Sequence, residues 1–183
     1  MNSLKGQFLV GSPHLNDPNF FRSVVLMVQH DEEGALGLIL NRPTDHTVAD
    51  IWEVVAHQPS DCQRPVYLGG PVAGPLMAIH SQLAFSELQV APGVHFSSQK
   101  HHLEQIVANE SSRFLLFNGY SGWGAGQLER ELKVGGWLTI EAIDDDVFYE
   151  EDDLWERLVK QIGQEIIAPA IGRSDVPPDP SWN

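Results

Sequence analysis

Two apolar runs, Arg22 to His30 and Ala35 to Leu40, flank the polar break Asp31-Glu32-Glu33-Gly34 and constrain the fold more than any other stretch. Each run has strand length, and a break that ends in glycine suits a four-residue hairpin loop. The pattern predicts a β-hairpin. Val24-Val25-Leu26-Met27-Val28 does not alternate with polar residues, so both faces must be covered, which places the hairpin centrally in its sheet. A tight hairpin this early favours an antiparallel or mixed sheet over a doubly wound parallel one.

The remaining signals alternate irregularly between strand and helix. Gln7 to Gly11 is expected to pair near the hairpin, and Asn41-Arg42-Pro43 ends its second arm because proline cannot donate to a ladder. Thr47 and Asp50 make a capping box for a helix carrying Val48, Ile51, Trp52 and Val55 at helical spacing. Gln58 to Arg64 reads as a surface loop with Cys62. Pro65 to Gly69 and Leu76 to His80 read as strands around a reversal at Gly70 to Gly74. Pro92-Gly93 marks a turn and Val94 to Phe96 a short strand, followed by a helix with Leu103, Ile106 and Val107 that Ser97 or Ser98 would open. Phe114 to Phe117 is a buried strand leading into a glycine-rich loop. After it comes a helix with Leu128 and Leu132 on one face and Glu129 with Lys133 as an i, i+4 pair, ended by Gly135-Gly136. Trp137 to Ile143 alternates as a strand, Asp144-Asp145-Asp146 is a charged break, and Leu154, Leu158, Val159 and Ile162 define a last helix. The class is α+β: one domain over residues 1–172 with about four helices, and an extended proline-rich tail over 173–183.

Charge and cysteine content exclude several functions. A net charge of -14 repels phosphate backbones, and no two Lys or Arg residues are adjacent, so direct nucleic-acid binding is not expected. Cys62 is the only cysteine, which rules out an internal disulfide and multi-cysteine metal sites. Beside Asp61 it reads as an inert thiol. The apolar patch Phe8-Leu9-Val10 is too short for a signal-peptide core or a membrane span, and a cytoplasmic location is expected.

The stretch Asn118 to Glu131 holds four glycines, Tyr120 and Trp123 between a strand and a helix, a geometry in which backbone amides can hold phosphate. It lacks the Lys-Ser or Lys-Thr pair of a P-loop and the G-x-G-x-x-G spacing, and Glu129 and Glu131 already place negative charge on the first helical turn. Ser121 sits where a nucleophile elbow would put a serine, but Trp123 occupies the place of the second glycine. A hydrolase or transferase using Ser121, or a water activated by His30 or His80, is therefore the alternative reading. His30 with Asp31 to Glu33, the pair His101-His102 and the run Asp144 to Asp153 lack ligand spacing, so neither metal nor cofactor is expected. At the hairpin's open end Arg22 and Arg42 are expected side by side, which requires an acid or an anion between them. Asp17 is the structural partner in that reading, and a bound carboxylate or phosphate the functional one.

Four motifs in order, Gly11-Ser12-Pro13-x-Leu15-x-Asp17-Pro18-x-Phe20-x-Arg22-Ser23-Val24, Gly34-x-x-Gly37-Leu38-x-Leu40-Asn41-Arg42-Pro43, Gly69-Gly70-Pro71-Val72 and Gly119-Tyr120-x-Gly122-Trp123-x-x-Gly126-Gln127-Leu128-Glu129-x-Glu131, resemble the bacterial AlgH/YqgE family. The resemblance runs from about Leu4 to about Ile167 and implies a branched sheet curled into a partial barrel. It implies little about activity: the family is largely of unknown function, its label as transcriptional regulators is tied to no DNA-reading element, and no catalytic residues carry over. The favoured reading is a non-enzymatic binding or regulatory module for a small anion or a protein partner. Its expected surface joins Asp17, Arg22, Asn41 and Arg42 to Tyr120, Trp123, Gln127 and Glu129.

Overall fold

The computed structural model describes residues 3–171 except 58, 110 and 150, with side chains through residue 166. The tail expected at 173–183 lies outside these residues. Ten strands run Gln7–Gly11 (β1), Val24–Asp31 (β2), Gly34–Ile39 (β3), Pro43–Thr47 (β4), Pro65–Leu68 (β5), Val72–His80 (β6), Leu88–Ala91 (β7), Val94–Ser97 (β8), Phe114–Gly124 (β9) and Trp137–Glu141 (β10). Five helices, Val48–Ala56 (α1), Lys100–Ala108 (α2), Gln127–Lys133 (α3), Asp144–Val147 (α4) and Leu154–Ile171 (α5), complete an α+β fold.

The sheet order is β10-β1-β2-β3-β9-β6-β8-β7, antiparallel throughout, with β4 and β5 branching from β9. The β2–β3 hairpin lies in the middle, as its unbroken apolar runs require. Its turn is tighter than expected: Asp31 still pairs with Gly34, leaving only Glu32 and Glu33 outside the ladder. The Asp31 carboxylate stabilises this turn by accepting from the Glu33 amide at 2.9 Å.

Curling of the sheet into a half-barrel separates three apolar clusters. The concave one is filled by Phe8, Leu26, Leu38, Ile79 and Phe117 and closed by Trp155, Leu158 and Ile162 of α5. On the convex side one cluster lies under α1 and α2, with Trp52, Ile106 and Leu116, and another under α3, with Leu9, Met27, Trp123, Leu128 and Trp137. At the end of the curl β7 returns toward β1. A Cβ on Gly6, whose φ is +75°, would lie 2.6 Å from the Val90 carbonyl oxygen, so the approach demands glycine.

The expected glycine-rich loop is strand. β9 continues through Gly124 because it exchanges partners along one edge: Leu116 to Asn118 run parallel to β5, whereas Ser121 to Gly124 run antiparallel to β3. Where the partners change, the carbonyl of Gly69 accepts from the Ile39 amide at 2.9 Å and from Ser121 Oγ at 3.1 Å. A Cβ on Gly69 would sit 2.3 Å from the Gly119 oxygen, and Gly119 itself has φ +75°. The glycines thus serve backbone-to-backbone contact at a branch rather than a ligand loop.

Other differences trace to particular residues. Pro43 opens β4 instead of leading directly to the helix, a position that needs no ladder donor. The Thr47–Asp50 capping box forms as expected. α2 starts later than Ser97 or Ser98 would place it, since Ser97 is consumed in β8 and Glu87 accepts from the Ser98 and Gln99 amides at 3.1 and 2.8 Å. Glu129 bonds His30 rather than Lys133. The triple aspartate forms α4, because Asp146 is buried against Arg157 at 2.6 Å and Asp144 pairs with Arg113 at 2.7 Å.

Two glycine substitutions separate close packing from mere backbone freedom. Gly69→Ala is expected to lower unfolding free energy by about 3 kcal/mol through overpacking. Gly163→Ala in α5, with nothing within 4 Å of the added carbon, should raise it by about 0.5 to 1 kcal/mol. Urea midpoints read both signs. Equal effects would refute the branch contact as the reason for Gly69.

Candidate functional site

The eight residues expected to form one surface fall into separate settings. Trp123, Gln127 and Glu129 lie where β9 and α3 meet the turn end of the hairpin, since Gly34 pairs with Gly124. Asp17, Arg22, Asn41 and Arg42 lie at its open end. Arg22 turns to the concave side, 5.0 Å from the Trp155 ring, while Trp123 belongs to the convex cluster. Phe20, from the segment that enters the hairpin, stacks on Trp123 at 5.9 Å, so the two regions touch through that ring while their polar side chains are engaged in two separate locks.

The first lock ties α3 to the sheet. Glu131 Oε2 accepts from the indoles of Trp123 at 3.0 Å and Trp137 at 2.9 Å, while its Oε1 accepts from Gln127 at 3.0 Å. Gln127 in turn accepts from the Gly124 amide at 3.1 Å. His30 Nδ1 accepts from the Leu4 amide at 3.0 Å, so Nε2 carries the proton and donates to Glu129 at 2.9 Å. The Glu129 carboxyl is held below its ordinary range by the backbone amide at the start of α3 and by this bond. Tyr120 departs from the group and packs toward the concave cluster, with its ring against Gly74 and Gly122.

In the second lock Asn41 spans the hairpin's open end, accepting from the Val24 amide at 2.9 Å and donating to the Arg22 carbonyl at 2.8 Å. Arg42 donates to the Phe21 carbonyl, and Arg22 pairs with Glu156 at 3.6 Å. Asp17 does not bridge the arginines: its carboxylate accepts from the Asn19 amide at 2.8 Å and shapes the turn before β2.

The nucleophile and base candidates are sealed. Ser121 is fully buried and its hydroxyl donates to Gly69 at the sheet branch. His80 is fully buried too; its Nδ1 accepts from the Gln82 amide at 3.2 Å, so Nε2 donates to Ser97 at 3.0 Å, and Ser97 donates onward to Phe85. Burial, then the neighbouring His95 and His102, push the His80 pKa down to about 4. Among the described residues, no group of three or more His, Cys, Asp or Glu is arranged to hold a metal ion.

A cleft of about 530 Å³ opens instead beside the β4–β5 branch, between the loop before β5, α2 and the start of β9. Asp61, Cys62 and Arg64 supply its polar wall, and Tyr67 and Phe114 its aromatic one. The Arg64 guanidinium stands 4.6 Å over the Phe114 ring and donates to the Ser112 carbonyl at 2.9 Å. This fixes a cation in the wall with its rotamer already chosen. Pro65 and Tyr67 also border a second hollow of about 220 Å³, whose far side carries Asn41, Tyr149, Glu151 and Asp152. Of the eight expected residues, Asn41 alone lines either hollow. Sequence reasoning passed over Arg64 and Tyr67 because the walls come from three distant segments; the one local signal was a cation two residues from the sole cysteine. Glu131 was visible at i+4 from Gln127.

Comparisons with known proteins agree with this architecture. Residues 8–167 match the family described as AlgH-like. A UPF0301 protein of Cupriavidus pinatubonensis is 43% identical over 160 residues, 80% of each chain, and one of Vibrio vulnificus is 38% identical over 173 residues, 88% of this chain and 92% of that one. The solution structure of the AlgH protein from Pseudomonas aeruginosa superposes with a TM-score of 0.74 at 31% identity, over 96% of this chain and 95% of that one. The crystal structure of a Corynebacterium diphtheriae protein matches with a TM-score of 0.70 at 22% identity over 88% of each chain, a likeness of fold.

The buried histidine makes stability pH-dependent. An unfolded histidine titrates near 6.5, while folded His80 titrates near 4, so the unfolded chain binds more protons between these values. The contribution is complete above pH 6.5 and is lost as pH falls toward 4; it amounts to about 2 kcal/mol between pH 7 and pH 5. His95, also lowered by burial, acts with the same sign. Urea unfolding of the parent and of His80→Gln at both pH values should show a smaller loss in the variant. Identical losses would remove His80 as the cause.

Proposed function

This chain belongs to the AlgH-like family, and from that premise we propose that it is a non-enzymatic binding module whose ligand, a small organic anion, occupies the Arg64 cleft. The observation that carries the reading is the Arg64 guanidinium, held over Phe114 in the wall of an open cavity of about 530 Å³. A fixed cation beside aromatic surface recognises a carboxylate or phosphate attached to a flat or apolar body. In this reading Asn41 borders the binding region. Asp17, Arg22 and Arg42 hold the hairpin's open end, and Tyr120, Trp123, Gln127 and Glu129 frame the body that presents the cleft.

Hydrolysis through Ser121 is the weaker reading, because exposing that hydroxyl would require parting β3, β5 and β9 where they join. Any regulatory role would act through the ligand or a protein partner rather than by reading DNA, given the charge of -14. Among the described residues no helix is long and apolar enough to cross a membrane, and the reading places the protein in the cytoplasm.

Thermal shift against a panel of small mono- and dicarboxylates and organic phosphates tests the assignment. At a hundredfold excess over Kd a binding member stabilises the parent by about 2.7 kcal/mol. Arg64→Ala and Tyr67→Ala should remove that response, whereas Ser121→Ala should retain it. A panel with no stabilising member, or a response that survives both cleft substitutions, sinks the proposal.

A further inference from the structure

Gln82, just beyond the end of β6, reaches two of the residues that lead from α2 to β9. Its side-chain carbonyl accepts from Asn109 Nδ2 at 3.1 Å and its amide donates to Ser112 Oγ at 2.8 Å. Ser112 is buried, donates its own hydroxyl to the Asn109 carbonyl at 2.9 Å, and presents the main-chain carbonyl that accepts from Arg64 at 2.9 Å. On the other side of Gln82 stands His80, whose Nδ1 accepts from the Gln82 main-chain amide at 3.2 Å. A chain of bonds through Gln82 and Ser112 thus joins a fully buried imidazole to the cation of the cleft.

His80 can hold Gln82 only while it is neutral. Its Nε2 already donates to Ser97, so an added proton must sit on Nδ1, where it meets the Gln82 N–H and removes the acceptor. Among the described residues, the charged and titratable groups that face His80 are His95 of β8, His102 of α2 and Glu87 just before β7. The two histidines oppose a further positive charge. Glu87 favours one, but it already accepts from the Ser98 and Gln99 amides and is bonded to His102. A protonated His80 is therefore relieved by leaving its place rather than by gaining a partner there.

We propose that Gln82 is a positioning residue for Arg64 and that His80 makes its hold proton-sensitive, so that acid loosens the cation of the cleft. The regulation rests on the reading of the Arg64 cleft as an anion site, whereas the hold itself does not. With Gln82 in place the Ser112 carbonyl is fixed and the guanidinium keeps one orientation over Phe114. Once His80 is charged, the Gln82 amide loses its acceptor, its side chain leaves Ser112, and the Ser112 carbonyl no longer stays under Arg64. An anion that binds the held form opposes protonation of His80, and by the same coupling acidification favours its release.

Nuclear magnetic resonance of the full chain without ligand tests the hold, so a cleft that binds nothing counts against the anion reading alone. The Arg64 Nε–H order parameter should be near 0.85 in the parent, the value of a rigid group, and fall below about 0.6 in Gln82→Ala. Gln82 is only half-buried, which keeps this measurement independent of a core substitution. Amide exchange at Gln82 and Ser112, corrected for its intrinsic pH dependence, reads the proton. A histidine that titrates near 6.5 when released and at about 4 when held shifts a local opening by up to about twentyfold between pH 7 and pH 5. The parent should lose protection by that factor at both amides, which should exchange faster than those of β2 and β3 at either pH. His80→Gln, with a neutral acceptor and a donor, should keep Arg64 rigid and abolish the pH response. Gln82→Ala should leave the response at position 82 and abolish it at Ser112. A rigid Arg64 in Gln82→Ala, a Ser112 amide indifferent to pH in the parent, or a Ser112 response that survives either substitution overturns the proposal.

Discussion

Contact between two glycines, Gly69 and Gly119, governs this structure. With no side chain on either, the end of β5 presses against β9 while the Gly69 carbonyl still reaches the Ile39 amide and Ser121 Oγ. β9 can then hold β5 on the lower part of one edge and β3 on the upper part, with β6 along the other edge. A methyl group at the junction would drive these backbones apart and disrupt the hydrogen bonds that define the branch. The division of the convex surface into one cluster under α1 and α2 and another under α3 depends on it, as does the cleft, whose walls follow β5 away from the half-barrel.

The polar groups that make the chain distinctive are spent mostly on fixing this frame. Glu131 satisfies two buried indoles, Asn41 closes the open end of the hairpin, and Asp146 meets Arg157 behind the concave core. Such groups gain their value from the cost of leaving a buried donor or acceptor unpaired rather than from the bonds as isolated attractions. Exposed ion pairs such as Arg22 with Glu156 contribute little by comparison. Motif density alone therefore points to assembly as readily as to chemistry, and the ligand-sized space lies elsewhere, against Arg64 and Tyr67.

Local sequence was a good guide wherever the cause of structure was local. The unbroken apolar runs of the hairpin, the Thr47–Asp50 box and the alternation after Trp137 each correspond to an observed element. Readings went astray where a distant group supplied the missing partner. Asn118 to Gly124 has the composition of a loop but is held extended by β3 and β6. Glu87 holds the Ser98 and Gln99 amides just ahead of α2 from eleven residues before Ser98, and Glu129 leaves its i+4 lysine for a histidine ninety-nine positions away.

The amino-acid sequence by itself determined the α+β class, the central hairpin, the net negative charge and the impossibility of an internal disulfide, because these rest on periodicity, charge and a residue count. The branch of the sheet, the burial of Ser121 and His80, the cleft beside Arg64 and the bonds that lead to it from His80 were decided only in three dimensions. Each depends on which segments approach one another across the fold. Such approaches are set by the summed packing of three cores, which no short window of residues encodes.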